Sequence, residues 1–191
     1  AAINGTGNTG NNVITGNSAN NVLNGAAGND NITGGDGNDN INGGAGQDAM
    51  TGGAGIDIFV FQFGQSTAAA PDSIVDFAIG ADKIDFLSST AAALPAPLAF
   101  SRAANSAATT LADVVTAVFA DANGSLTGNQ ALAANSSALV QVTTPGIAGT
   151  YIISNDGTAG YQSATDLLIN ITGFSGSLPA LGAIPVANFF A

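Results

Sequence analysis

Residues able to hold a metal ion recur at a fixed interval near the start of this sequence. Asn12, Asn21, Asp30, Asp39, Asp48 and Asp57 stand nine residues apart, and an apolar side chain follows two residues after each: Ile14, Leu23, Ile32, Ile41, Met50 and Phe59. Glycines 7, 16, 25, 34, 43 and 52 open the six units, which together run from Gly7 to Val60. Carboxylates stacked by such a repeat repel one another. At an effective dielectric of about 20, unit charges about 5 Å apart repel by roughly 3 kcal/mol. No Lys or Arg occurs before Lys83, so neutralisation falls to a mobile cation. Carboxylates and turn carbonyls offer oxygen alone, which selects a hard ion, and their adaptable six- to eight-fold geometry favours Ca²⁺ over Mg²⁺.

The remaining composition narrows the chemistry by exclusion. All 13 acidic residues are Asp, the only cations are Lys83 and Arg102, and the net charge is −11. Such a chain cannot neutralise phosphates, so nucleic acids and anionic membrane surfaces are poor partners. Without His or Cys it lacks the usual general base, zinc ligands, thiol nucleophile and disulfides, so it is expected not to be an enzyme by itself. A hydrophobic fraction of 46% over 191 residues is enough to build a core, in one domain or two. No run approaches the roughly 18 apolar residues of a membrane span. The start, AAINGTGNTG, has no Met and no basic region ahead of an apolar one, and it reads as a segment of something longer. Absence of Cys fits a bacterial extracellular protein.

The elements that must position these oxygens follow from the nine-residue period, which matches neither a helix nor an uninterrupted strand. Glycines in the first half of each unit permit a tight turn. Positions seven to nine form a brief strand with one inward side chain. Two units then complete one coil of a parallel β-roll, and units n and n+2 stack about 4.8 Å apart. Ile14, Ile32 and Met50 are expected to line one inner face, with Leu23, Ile41 and Phe59 lining the other. Six units in register argue against a flexible low-complexity linker.

Written out, the later units, GGDGNDNIN, GGAGQDAMT and GGAGIDIFV, resemble the GGxGxDxUx repeat of the RTX calcium-binding family. That resemblance implies that one ion takes the carbonyls of positions two and four with the side chain of position six from unit n. Unit n+2 would add positions one, three and six, so each acid bridges two ions. One site is then Ala26, Gly28 and Asp30 with Gly43, Ala45 and Asp48. The next is Gly35, Gly37 and Asp39 with Gly52, Ala54 and Asp57. Two earlier sites would join Asn8, Gly10 and Asn12 to Gly25, Ala27 and Asp30, and Asn17, Ala19 and Asn21 to Gly34, Asp36 and Asp39. Gly44, Gly46, Gly53 and Gly55 complete the ligand set of the last two units, and the resemblance implies about four to six Ca²⁺ ions in all.

After Phe59 the stretch FVFQFGQSTAAAPDSIVDFAIGADKIDF reads as strands separated by a loop and a turn at Gly80-Ala81. Asp57, Phe59, Asp72, Ile74, Asp76, Phe77, Gly80, Asp82, Lys83, Ile84 and Asp85 are similar to the element that follows the roll in serralysin-type metalloproteases. The resemblance makes Asp72 a further metal ligand, with Gln65 near the family's other acidic position. Lys83 among Asp76, Asp82 and Asp85 reads as a surface charge balance. Residues 91–108, rich in Ala, Pro and Ser, read as a spacer. Thr110 and Asp113 form a capping-box-like pair ahead of an apolar face of Leu111, Val114, Val115, Val118 and Phe119, predicting a short helix. Asp121, Asn123 and Ser125 start like an EF-hand loop, but Gly124 is too early and position twelve is Leu132, so that loop is rejected. ALVQV, TYIIS and DLLINIT predict antiparallel strands that pack the helix against the end of the roll. The ending PVANFFA is similar to the tails of type I secretion substrates and equally reads as a terminal strand.

The expected architecture is therefore all-β: a parallel β-roll of calcium-binding nonapeptides over residues 1–60, continuous with an antiparallel β-rich cap and secretion-signal region, with one short helix, over 61–191. The expected function is that of the C-terminal module of a larger secreted protein of a Gram-negative-type bacterium. It would stay unfolded in the cell, pass a type I exporter and fold on extracellular Ca²⁺. Alternatives are a surface-layer or adhesin module assembling on the cell surface or with its own copies, and a carbohydrate-binding module like those of alginate epimerases. The last is disfavoured by the near absence of basic residues.

Overall fold

In the computed structural model, which describes residues 1–120, 132–156, 162 and 165–191, the nine-residue units feed two stacks in turn. The strands are β1 (Gly5–Thr6), β2 (Val13–Thr15), β3 (Val22–Asn24), β4 (Asn31–Asp36), β5 (Asn40–Asn42), β6 (Ala49–Ala54), β7 (Ile58–Gln62), β8 (Asp72–Ile74) and β9 (Lys83–Leu87). Odd strands pair in parallel in the order β1-β3-β5-β7-β9, and β2, β4, β6 and β8 do so in the facing sheet. The register sets Ile14 beside Ile32 and Ile32 beside Met50 in one sheet. Leu23, Ile41 and Phe59 align likewise in the other. Each inner side chain thus meets the one two units on, as a coil of two nonapeptides requires. Leu23, Ile32, Ile41, Met50 and Phe59 are buried, each contributing roughly 1.5–3 kcal/mol.

Stacking does not stop with the repeat at Val60. Ile74 pairs beside Met50, and Ile84 beside Phe59, so two more rungs extend the roll. These rungs come after 24 and 25 residues instead of 18, because the chain inserts a loop before each.

The sheet containing β8 then continues outward without a break. Beyond it lie β13 (Leu167–Asn170), β12 (Gly149–Ser154), β11 (Ser136–Val142), β10 (Ala99–Arg102) and β14 (Gly182–Ala183), giving nine strands. The antiparallel reading holds for β11-β12-β13, whereas β13-β8 and β10-β11 are parallel. The segment 91–108, read as a spacer, contributes β10, because Phe100 gives that segment an apolar side chain to bury. Arg102 ties β10 to the C-terminal segment by donating to the Pro179 carbonyl at 2.6 Å.

Helix α1 (Leu111–Ala120) starts as its cap predicts: Thr110 Oγ1 accepts from the Asp113 N–H at 3.1 Å and donates to Asp113 Oδ2 at 2.8 Å. Its position differs from expectation. The helix covers the outer face of the sheet extension, where Val114, Val115, Val118 and Phe119 pack with Ala138, Val140, Tyr151 and Ile153. Leu139, Ile152 and Ile169, on the opposite face of the same strands, join the core of the roll. Strand β11 is apolar on both faces and so needs a cover on each side. The EF-hand-like run at 121–125 lies outside the described residues.

The C-terminus forms a short 3₁₀ turn, Val186–Asn188, rather than a strand. After it Phe189 and Phe190 are buried, and Phe190 bridges in parallel to Ile84. Ile84 N–H donates to the Phe189 carbonyl at 2.7 Å, and the Phe189 ring lies 5.8 Å from Phe77 and 4.9 Å from Phe100, centre to centre. Pro185 precedes the turn and Phe189 follows it, and the apolar tail both packs its rings into the core and pairs along the outer edge of β9 at Ile84. No helix among the described residues is long and apolar enough to cross a membrane.

Candidate metal centre

Position six of each unit sits at the turn between sheets, and the register of the strands stacks these side chains into two ladders. Along one, Asn12 N–H donates to Asp30 Oδ1 at 2.7 Å, Asp30 N–H to Asp48 Oδ1 at 2.8 Å, and Asp48 N–H to Asp72 Oδ1 at 2.9 Å. Along the other, Asn21 N–H donates to Asp39 Oδ1 at 2.7 Å, Asp39 N–H to Asp57 Oδ1 at 2.9 Å, and Asp57 N–H to Asp82 Oδ1 at 3.0 Å. Every rung is therefore tied to the next by one carboxylate oxygen. Asp30, Asp39, Asp48 and Asp57 are at most 3% exposed, and the second oxygen of each, Oδ2, is buried with no hydrogen-bond partner. A buried anionic oxygen without a partner is costly.

The electrostatics carry the same imbalance. Burial pushes the Asp57 carboxyl up to about 6 against the pull of the Asp39 N–H, and the charges of Asp82, Asp39 and Asp76 push it further. Burial likewise lifts Asp72 to about 7, and raises Asp39 and Asp48. The lone nearby cation, Lys83, donates to the carbonyls of Gly80 and Asp82 at 3.3 and 3.4 Å.

The glycines explain what surrounds the free oxygens. A Cβ on Gly25 would overlap Asp30 Oδ2 and the Gly43 carbonyl, and one on Gly34 would overlap Asp39 Oδ2 and the Gly52 carbonyl. The absent side chains thus leave cradles, each facing one carboxylate oxygen and one carbonyl of the unit two ahead, and Gly7 and Gly16 leave the same space beside Asn12 Oδ1 with the Gly25 carbonyl and Asn21 Oδ1 with the Gly34 carbonyl. Ala26, Gly35, Gly44 and Gly53 at position two, and Gly28, Gly37, Gly46 and Gly55 at position four, all take positive φ. Turn carbonyls of successive coils meet here: Ala45 N–H donates to the Ala26 carbonyl, and Gly28 N–H to that of Ala45, both at 2.9 Å. Gly37 N–H donates to the Ala54 carbonyl at 2.8 Å. Ala27 bridges to Ala45, and Asp36 stands exposed opposite Ala54.

The first two units are built otherwise. Asn8, Gly10, Asn17 and Ala19 do not take the positive φ of their later counterparts. Asn12 Oδ1 accepts the Asn8 N–H at 2.7 Å, and Asn21 Oδ1 accepts the Asn17 N–H at 2.8 Å. Asn21 Nδ2 donates to Asn17 Oδ1 at 3.0 Å, and Asn12 Nδ2 to Asn8 Oδ1 at 3.5 Å. Asn8 Oδ1 also accepts from Gly10 N–H, and Asn17 Oδ1 from Ala19 N–H.

Three features escaped the sequence reading. Asp82 ends the second ladder, and its Oδ2 accepts the Ala78 N–H at 2.7 Å. Asp76 receives the Gly52 and Gly53 N–H groups at 2.9 and 2.8 Å. Position-five amides form their own ladder, Asn29 N–H to Asn11 Oδ1 and Asn38 N–H to Asn20 Oδ1 among them. The signal for Asp82 was present: Asp72-Ser-Ile74 and Asp82-Lys-Ile84 repeat the acid-x-apolar spacing of Asp48-Ala-Met50 without the glycines.

Among the described residues no three acidic side chains gather to hold an ion, so any site here is built from one or two carboxylates and main-chain carbonyls. A parallel roll with carboxylates stacked along its turns is a repeat-built domain that arranges carboxylate and carbonyl oxygens at coil intervals. More particularly, the family model of the Peptidase M10 serralysin C terminal matches residues 3–114, over half of the chain, and the chain belongs to that family. Domains of this family are the non-catalytic C-terminal part of serralysin-type proteases and, as RTX-type domains, generally bind Ca²⁺. The search of curated proteins found no match.

Proposed function

We propose that this chain is the calcium-dependent folding and export module of a larger secreted bacterial protein. The observation that carries this reading is the set of four buried Oδ2 atoms without partners, in a chain whose net charge is −11. The residues suit a hard cation: Asp30 and Asp48 with the carbonyls of Ala26, Gly28, Gly43 and Ala45, and Asp39 and Asp57 with those of Gly35, Gly37, Gly52 and Ala54. A bound Ca²⁺ would supply the positive charge that the ladders lack. Without it the stacked carboxylates repel, and the roll cannot retain its inner side chains against conformational entropy. At the low free calcium of a bacterial cytosol the chain stays extended enough to thread a type I exporter. Outside, at affinities of ~10⁻⁴ to 10⁻³ M characteristic of extracellular modules, binding free energy becomes folding free energy. Residues 1–60 carry the calcium repeats, β8 and β9 extend the roll, and the rest of 61–191 supplies the cap and the export tail.

Circular dichroism in EGTA and in millimolar CaCl₂ tests the first half. The expected outcome is a chain without its roll in chelator that gains β signal with calcium, and an unchanged spectrum and melting temperature would refute it. Deletion of the last fifty to sixty residues, about the length in which such tails reside, is expected to abolish secretion through a type I exporter. Undiminished export of the shortened chain would remove the tail from the proposal.

A further inference from the structure

Where the end of the roll meets the sheet extension, the described residues border a cavity of about 280 Å³. On one side lie the rings of Phe63 and Phe86, their centres 5.5 Å apart, and none of the lining residues belongs to either carboxylate ladder. The segment 94–98 forms a wall. Leu94 N–H donates to the Phe86 carbonyl at 2.9 Å and Leu98 N–H to the Asn135 carbonyl at 2.8 Å, so the segment is pinned at both ends. Between the pins stand Pro95 and Pro97, each with a fixed φ and no N–H, so this stretch cannot zip onto a neighbouring strand and close the space. Leu98, 78% exposed, marks the mouth.

The remaining side is polar, and the strand register shows why it is also hollow. Ser137 on β11 pairs directly with Ser154 on β12, and two residues along the same faces stand Leu139 and Ile152, which are built into the core. Two hydroxyls thus occupy places where the row otherwise carries large aliphatic side chains. Ser137, Ser154 and Asn155 are each 1% exposed. The two Oγ atoms lie 2.7 Å apart and share one hydrogen bond, which leaves the pair one hydrogen to donate. Asn155 spends Nδ2 on the Leu132 carbonyl at 3.2 Å, while its Oδ1 is buried with no partner. A buried acceptor left unsatisfied beside apolar walls is costly, and a ligand that donates to it removes the cost.

The lining carries no charged side chain, and the net charge of −11 repels anions from the chain as a whole. Since a dry cavity of about 150 Å³ takes benzene, this one has room for about eleven non-hydrogen atoms. The geometry points to a binding site for an uncharged medium-chain alcohol. The alkyl chain lies among Phe63, Phe86, Leu94 and Leu98, the hydroxyl hydrogen goes to Asn155 Oδ1, and the hydroxyl oxygen accepts from the Ser137 and Ser154 pair. The site asks of calcium only that the chain be folded, and so goes beyond the export reading.

Calorimetric titration of the whole chain in CaCl₂ with 1-octanol, followed by amide NMR spectra, tests the site. One molecule per chain is expected, with shifts concentrated at Ser137, Ser154 and Asn155 and a rise in melting temperature. The methyl ether of the same alcohol, which cannot donate, is expected to bind about tenfold more weakly, and octanoate more weakly still. Ser137→Val combined with Ser154→Val fills the space and removes both hydroxyls, and the double variant is expected to lose octanol binding while keeping its circular dichroism. Should that variant fail to fold, the head-group series on the parent chain decides alone. Absence of saturable binding to the parent, equal binding of alcohol and ether, tighter binding of octanoate, or octanol retained by the folded double variant would each overturn the proposal. A parent that takes no alcohol and sediments as a dimer would give the cavity to a second copy and overturn it likewise.

Discussion

At the scale of single residues the ladder is a chain of compromises, and two of them can be measured. Ala26 holds φ at 77°, where its later counterparts are glycines. A left-handed non-glycine residue costs roughly 1–2 kcal/mol, so Ala26→Gly is expected to raise stability by about 1 kcal/mol and lower the calcium midpoint, as read by thermal melts and titration. The carboxyls of Asp57 and Asp72, lifted to about 6 and about 7, set a pH dependence for the metal-free chain. Their folded-state values lie above the unfolded value of 3.8, so between these limits the folded state binds more protons than the unfolded one. Stability without calcium therefore falls as pH rises through about 6 to 7, and protons partly replace the metal at lower pH. Residual β signal in EGTA is expected to grow on going from pH 8 to pH 5, and a flat or inverted profile would contradict the burial of these acids. Such compromises are legible in sequence only in part. The spacing of Asp30, Asp39, Asp48 and Asp57 announces the ladder. That Asn12 and Asn21 bond back to Asn8 and Asn17 depends on a turn conformation that no spacing encodes.

At the scale of elements, the strands of the roll follow from one apolar residue per nine, and they are where sequence reading works best. Ile32, Ile41, Met50 and Phe59 have a single way to face inward, and the register obeys it. The rungs at β8 and β9 were harder to place, because the loops before Asp72 and Asp82 break the nine-residue count while keeping the acid-x-apolar pair. Helix α1 was legible from its cap and its apolar face, but not its seat, which depends on β11 being apolar on both sides. Two substitutions separate these layers. Phe189→Ala removes a ring packed against Phe77 and Phe100 and is expected to cost about 3–5 kcal/mol in the calcium-bound protein. Thr110→Ala removes only the helix cap and is expected to cost about 0.5–2 kcal/mol with the ion count unchanged. Calcium-loaded melts of both variants beside the parent check the order; a larger loss for Thr110→Ala would mean that the tail is not anchored as described.

At the scale of the whole molecule, one sheet of nine strands serves two construction plans. Within the roll every strand bonds to a neighbour two units away in the chain, whereas β8 meets β13 through Asp72 and Ile169. Contacts of short sequence separation close cheaply, and those that span about half of the chain, as between Asp72 and Ile169, close late, because loop entropy must be overcome before they contribute. The junction of β8 with β13 thus divides folding in time. After calcium is added, the coils are expected to assemble first, and the seam that joins them to the helix-covered extension is expected to zip afterwards in a slower phase. Stopped-flow tyrosine fluorescence, to which Tyr151 on β12 beyond that seam contributes, against far-ultraviolet dichroism of the coils would show two rates. Coincident single-exponential traces would mean that roll and extension form together. A slow seam also gives the unfinished molecule an unpaired β8 edge for its lifetime, a place where a second chain can add its own strand. Concentration-dependent losses during calcium refolding are the practical consequence of building one sheet from both ends of a sequence.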